Sequence, residues 1–238
     1  RVQTGTADFG TRLLTSSPVL GLQPISALEE RYFKQAATGN NGEVNSAFTT
    51  ALVGSLVRFE NADTFLTRTP GATNTLTTGT PLSFSEAQFA ARGNAGTPPG
   101  FYGSQTTHIG GAYVGTITIG GAIPAGVVSF GTSSDDGSSI YIDSNNDNVF
   151  QASELVVNNI FDQGPTARTS QVSLAAGTYK IAIGYFQGTG GGFMEARFAP
   201  GAGVAYANQY IFNPGGPLNS PGNITVDTAA ALRAGGFT

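Results

Sequence analysis

The plainest pattern in the chain is the run Tyr179, Ile181, Ile183 and Tyr185, interleaved with Lys180, Ala182 and Gly184. Apolar residues at every second position place one face of an extended strand in a core. The same alternation links Tyr113, Ile117 and Ile119, then Val128 and Phe130, then Ile140 and Ile142. Leu155-Val156-Val157 also reads as a strand. Ala175-Ala176-Gly177 and the stretch from Gly188 to Gly192 supply turns between such runs. Many short strands with Gly-rich turns predict an all-β sandwich or barrel with few helices.

Before Ala112 the periodic signals weaken. Ser26 and Glu29 have the S-x-x-E spacing of a capping box, which predicts a short helix carrying Leu28, Tyr32 and Phe33 on one face. The same residues suit a strand equally well. Ser85 to Arg92 predicts another short helix, with Gly93 at its C′ position. Residues 1–23 are polar and loop-like. From Gly201 to Gly222 the composition shifts to Gly, Pro, Asn and Ala, and Asp227 suits the N-cap of a last short helix, Thr228 to Ala234, closed by Gly235. The expected organisation is an N-terminal arm (1–23), a β domain (24–200) and an extended C-terminal arm (201–238). Chain ends fray unless tied down, so both arms are expected to dock on their own domain or on a neighbouring subunit. No fixed-period repeat is present.

Composition narrows the class. The chain has 238 residues, 39% of them hydrophobic, with 16 Phe and 8 Tyr, enough to bury a sizeable core. Only 11% are charged, against a usual share of about 25%. Gly, at 34 residues, has roughly twice its usual share of about 7%. Thr, Ser, Asn and Gly therefore cover surface that Lys and Glu cover elsewhere, which suits a secreted coat, matrix or fibre protein. The chain starts at Arg1, as expected of a mature extracellular or cell-surface protein after removal of a leader. The net charge of −4 and the lack of a basic stripe argue against nucleic acid as a partner. No apolar run is long enough for a membrane span. Without cysteine there are neither disulfides nor thiolate metal sites.

The candidate chemistry is acidic. No Lys or Arg lies between Arg92 and Arg168, yet that interval holds Asp135, Asp136, Asp143, Asp147, Glu154 and Asp162. Carboxylates clustered without counter-charge are relieved by solvation or by a cation, and oxygen-only donors select calcium or magnesium. Asp143-Ser-Asn145-Asn-Asp147-Asn148-Val149-Phe150-Gln151-Ala-Ser-Glu154 has the spacing of a twelve-residue calcium loop. Asp143, Asn145 and Asp147 hold positions 1, 3 and 5, the Val149 carbonyl position 7, and Glu154 position 12. Asn148 replaces the usual Gly and tolerates a left-handed backbone better than most residues. Strand-like flanks predict a loop at a hairpin tip rather than between helices. The alternative is a solvated Asn/Asp-rich hairpin.

A second motif, Ser133-Ser-Asp135-Asp136-Gly137-Ser-Ser-Ile140-Tyr141-Ile142-Asp143, resembles the signature of the PA14 family. The resemblance continues through Leu174-Ala-Ala-Gly177-Thr-Tyr179-Lys-Ile181. More weakly it reaches Glu30-Arg-Tyr32-Phe33 and the strand at Tyr113 to Ile119. It implies a PA14-like β-sandwich or barrel. In sugar-binding members two adjacent aspartates joined by a cis peptide hold a calcium ion that also ligates sugar hydroxyls. By position these are Asp135 and Asp136, and a later loop, here Gln187 to Gly192 with Gln187 as side-chain ligand, completes the site. Other members keep the aspartates without binding sugar, where the pair shapes a turn.

No catalytic constellation emerges. His108 is the only histidine, and its setting among Thr106, Thr107 and Ile109 reads as structural. Glu154, Glu195 and Asp162 are available to a glycosidase, but no motif singles them out. Gly188-Thr-Gly-Gly-Gly192 lacks the ending of a phosphate loop. Arg197 and Glu195 read as a surface pair, and Asn223-Ile-Thr225 matches a glycosylation sequon. The sequence alone therefore favours a non-enzymatic, calcium-stabilised extracellular structural protein that self-associates through its arms. A calcium-dependent adhesin whose partners are glycans is the alternative.

Overall fold

Alternation along the chain translates directly into two stacked antiparallel sheets. The computed structural model describes residues 25–34, 56–77 and 80–214. Its elements are β1 (Leu28–Lys34), β2 (Ala72–Leu76), β3 (Ser83–Ser85), α1 (Glu86–Asn94), β4 (Ile109–Ile119), β5 (Gly126–Asp135), β6 (Gly137–Ile142), β7 (Leu155–Asn159), β8 (Thr166–Leu174), β9 (Gly177–Gln187), β10 (Phe193–Pro200) and β11 (Tyr210–Ile211). Short 3-10 turns occupy Ala152–Glu154 and Tyr206–Asn208. One sheet has the order β2-β1-β4-β9-β6-β7, the other β11-β10-β5-β8, with β3 also on β10.

Odd-numbered residues of β4 and β9 (Ile109, Tyr113, Ile117, Tyr179, Ile181, Ile183, Tyr185) join Val128, Phe130, Ile140, Met194 and Phe198 between the sheets. Positions of the opposite parity on β4, β9 and β6 supply a second core. Ala112, Tyr141, Ala182 and Phe186 pack with Leu56, Val57, Phe59 and Phe65 on the opposite face of the six-stranded sheet. That sheet is thus covered on both faces, which is why Ala and Gly alternate with its large residues.

Two local expectations change. The stretch from Ser26 is a strand, not a helix: Ser26 N donates to the Thr116 carbonyl (3.1 Å), and its Oγ accepts from Thr116 N (3.0 Å), so it continues the β1–β4 ladder. Glu30 disguised the alternation, because it sits on the core row between Leu28 and Tyr32. It is fully buried and held by Arg92 (2.7 Å) on α1. The helix over Ser85 to Arg92 is present, with a capping box between Ser85 and Gln88. Gly93, however, lies inside the helix, and Ala95 ends it in a right-handed conformation. Gly93 is needed for close approach instead: a Cβ there would lie 2.3 Å from Tyr102 Cε2.

The segment after Pro200 docks on its own domain as far as it is described. β11 pairs with β10 at Arg197 and Phe198, and Phe212 packs on Phe198 (5.0 Å) in the core. Glu195 and Arg197 form an ion pair (2.5 Å) mostly shielded from solvent rather than an open surface pair, because Tyr206 stacks on the Arg197 guanidinium. The N-terminal arm, the helix expected over Thr228 to Ala234 and Asn223 lie outside the described residues. No helix among them is long and apolar enough to cross a membrane.

Candidate ligand site at the sheet crossovers

Three connections pass from one sheet to the other at the same end of the sandwich. Asp136 alone joins β5 to β6, residues 160–165 join β7 to β8, and residues 188–192 join β9 to β10. Hydrogen bonds tie them together: Asp136 Oδ2 accepts from Gly188 N (2.7 Å) and Oδ1 from Gln163 N (3.1 Å). His108 N donates to the Gly188 carbonyl (2.7 Å) where β4 begins, a structural use of that residue's backbone. Gly192 N donates to Glu86 Oε2 (3.0 Å), and Glu86 N returns a bond to the Gly192 carbonyl (2.8 Å), fixing the start of α1.

The Asp135–Asp136 peptide is cis. Asp135 is half-buried and Asp136 is 5% exposed. The serines of the motif form a buried polar seam behind the pair. Ser134 and Ser138 share a hydrogen bond (2.8 Å), Ser138 Oγ donates to Thr132 Oγ1 (2.8 Å), and Asn159 Nδ2 donates to Ser134 Oγ (3.2 Å). Gly137 is required by packing, since a Cβ there would lie 2.2 Å from the Phe186 ring.

Burial pushes the Asp136 carboxyl up to about 6, and neighbouring Asp162 adds to the rise against the lowering effect of the Gly188 and Gln163 N–H groups. Asp135 is also raised, first by burial and then by Glu86 and Asp162. Four carboxylates therefore share this end of the molecule. Gln187 closes it from β9: its Nε2 donates to the Thr189 and Gly190 carbonyls (both 3.3 Å), which fixes the amide orientation. Its Oε1 is buried without a partner. A Cβ on Gly192 would lie 2.4 Å from that oxygen, so only glycine leaves room beside it. Two carboxylates and an unpartnered amide oxygen are hard donors of the kind calcium takes. Asp135, Asp136 and Gln187 are thus of the type calcium takes, but among the described residues no group of three or more His, Cys, Asp or Glu side chains is placed to hold a metal ion.

The twelve-residue loop connects β6 to β7, a hairpin as expected. Asp143 accepts from Asp147 N (3.2 Å) and Asn148 N (2.9 Å), and Asp147 Oδ1 accepts from Val149 N (2.9 Å). Glu154 Oε1 accepts from Ser144 N (2.7 Å) and Asn145 N (3.3 Å), and its Oε2 from Gln151 N (3.1 Å). Asn145 bridges to Asp147 Oδ2 (3.0 Å), and Asn146 and Asn148 take positive φ. The donors are of the right kind for calcium, but each carboxylate is already engaged by N–H groups, and none of the loop's buried side-chain oxygens is left without a partner.

The structure brings Asp135, Asp136 and Gln187 to one end and keeps Asp143, Asn145, Asp147, Val149 and Glu154 in their own loop. The residue pattern did not single out Asn159, Gln163 or Glu86. They reach the crossovers through the fold, and nothing in their immediate neighbours marks them.

No family model matches the chain, and no curated protein matches it. Among solved structures, the Epithelial Adhesin 9 A domain from Candida glabrata, in complex with Galb1-4GlcNAc, is similar over 85% of this chain and 96% of that one, with 12% identity and a TM-score of 0.52. A PA14 sugar-binding domain from RTX adhesin is similar over 79% of this chain and 95% of that one (19% identity, TM-score 0.45). An anti-sigma factor domain-containing protein from Clostridium clariflavum is similar over 84% of this chain (14% identity, TM-score 0.44), which spans 49% of that protein's length. The two antiparallel sheets are consistent with a PA14-like β-sandwich, and the likeness to the Candida adhesin domain is one of fold alone.

Proposed function

We propose that the chain is an extracellular, calcium-dependent carbohydrate-binding domain of adhesin type, with its sugar held at Asp135, Asp136 and Gln187. The observation that carries the reading is the buried, unpartnered Gln187 Oε1, one residue before the Gly188 N–H that binds the buried Asp136 carboxylate. A buried polar atom without a partner costs about 1–3 kcal/mol, and a ligand at that spot removes the cost. Calcium there would be bound by Asp135, Asp136 and Gln187, leaving coordination positions for sugar hydroxyls. The protein supplies a rigid end: His108, Gly188, Gln163 and Glu86 hold the loops through backbone hydrogen bonds. The sugar complex of the Candida adhesin domain, which shares the fold, favours this reading over a fibre subunit. No group is proposed to act catalytically.

The hairpin loop Asp143 to Glu154 is proposed as a second calcium site, differing from the first in that none of its buried side-chain oxygens lacks a partner. Assembly through the terminal arms stays a proposal resting on their Gly-rich composition. Size-exclusion chromatography of the full chain beside one ending at Pro214 tests it.

For the main reading, the measurement is retention on a glycan-coated surface with calcium and after EDTA. Retention is expected with calcium only, and lost in Asp135→Asn, a substitution at a half-buried position that spares the fold. Retention indifferent to EDTA, or a blank glycan array in calcium, would overturn it.

A further inference from the structure

Only two large hydrophobic side chains are exposed among the described residues, and one of them, Phe161 (44% exposed), lies beside the aspartate pair. Its carbonyl is so close to Gly137 that a Cβ there would come within 3.0 Å, and the two residues after it reach Asp136. The guanidinium of Arg168 lies over the Phe161 ring, 4.5 Å from its centre. Arg168 is the first basic residue after Arg92, and it stands at an end that holds four carboxylates. It nevertheless makes no ion pair among the described residues. Its hydrogen bond there runs from Nε to Asn159 Oδ1 (3.0 Å).

Asn159 is what holds the arrangement. It is fully buried at the end of β7, and its Oδ1 also accepts from Gln163 Nε2 (2.8 Å) while its Nδ2 donates to the Thr166 carbonyl (2.9 Å). Gln163 in turn holds the Asp136 carboxylate (3.1 Å). One buried amide thus links Arg168 to Asp136 through a single residue, Gln163, whose side chain bonds Asn159 and whose backbone N–H bonds the carboxylate. Arg168 shares its row on β8 with Val172 and Leu174, which pack into the core, so its side chain projects toward the space between the sheets at their open end. A planar guanidinium braced by an aromatic ring and one amide keeps its terminal N–H groups free for an anion. The exposed ring offers an apolar surface for the carbon face of a pyranose.

We infer that Phe161 and Arg168 form a second wall of the sugar site, and that the sugar taken there carries an acidic substituent, a carboxylate or a sulfate, facing Arg168. This rests on the sugar-binding reading and adds the class of sugar. A neutral sugar would leave the exposed guanidinium without an anionic partner, whereas an acidic one gains a charge-assisted pair next to a calcium ion that offsets the repulsion of Asp135 and Asp136.

The test is calorimetric titration of the full chain in calcium with three oligosaccharides of one backbone: neutral, bearing a hexuronate, and bearing a sulfate. The wild type should bind at least one acidic form roughly tenfold more tightly than the neutral one, the size of one charge-assisted hydrogen bond, and added salt should shrink the difference. Arg168→Gln should bring acidic and neutral ligands level without abolishing binding. Arg168→Lys should restore part of the preference, and Phe161→Ala should weaken all three. Equal affinity for neutral and acidic forms in the wild type, or a preference untouched by Arg168→Gln, would overturn the inference while calcium-dependent binding stands. If Asp135→Asn and EDTA leave binding unchanged but Arg168→Gln abolishes the preference, the calcium reading falls and the wall remains. A wild type that binds none of the three overturns both.

Discussion

At Gly192 a single methyl group separates a working corner from a blocked one. Gly192→Ala would set a Cβ 2.4 Å from Gln187 Oε1 and 2.8 Å from the Tyr185 hydroxyl. Overpacking of this kind costs about 1–3 kcal/mol, so urea denaturation should show that loss and calcium titration a weakened site. Asp136 carries a pH signature. Its carboxyl is raised from 3.8 to about 6, so the folded state holds the proton more tightly than the unfolded one. The resulting stabilisation is complete below about pH 4 and is lost as pH rises through about 6. In EDTA the melting temperature of the wild type should therefore fall between pH 4 and 6 relative to Asp136→Asn, and a parallel pair of curves would contradict the assignment. Calcium reverses the trend, because it needs the ionised carboxylate. The aspartate pair was legible because its neighbours form one contiguous motif. Asn159, which organises the same end, was not: its role comes from meeting Ser134, Gln163 and Arg168 across three strands and a loop.

Among the elements, strands with clean alternation were read correctly from the chain, and the residues of β1 suited helix and strand equally, because a glutamate occupies its core row. The buried pair of Glu30 with Arg92 (2.7 Å) fastens α1 to β1. Removing one partner of a buried pair costs about 3–5 kcal/mol, so Arg92→Leu should destabilise far more than Arg31→Leu, whose ion pair with Glu29 is solvent-accessible. Gly93 gives a second contrast. In a free helix Gly→Ala gains about 1 kcal/mol, but here the Tyr102 ring, 2.3 Å from the added Cβ, turns the gain into a loss. Thermal unfolding of Gly93→Ala should read a lower melting temperature. The hairpin was legible from its strand-like flanks. What ligand spacing did not reveal is that backbone N–H groups occupy the loop's carboxylate oxygens.

For the molecule as a whole, the domain continues beyond the composition shift at Pro200. Phe212 lies fully buried against Phe130 and Phe198. Composition misplaced the boundary because Gly and Pro mark turns as readily as tails. A chain ending after Pro200 should be about 3–5 kcal/mol less stable than one ending after Pro214, the usual loss for deleting a core Phe. The strand order also bears on when the protein can fold. β4, at the centre of the six-stranded sheet, pairs with β1 well before it and with β9 well after it, and β3 pairs with β10 across most of the described chain. The central sheet can close only after Gln187 has emerged, and its partner sheet only after Pro200. Such distant pairings close slowly, so the two sheets cannot both be completed during synthesis until the residues through Pro200 have been made.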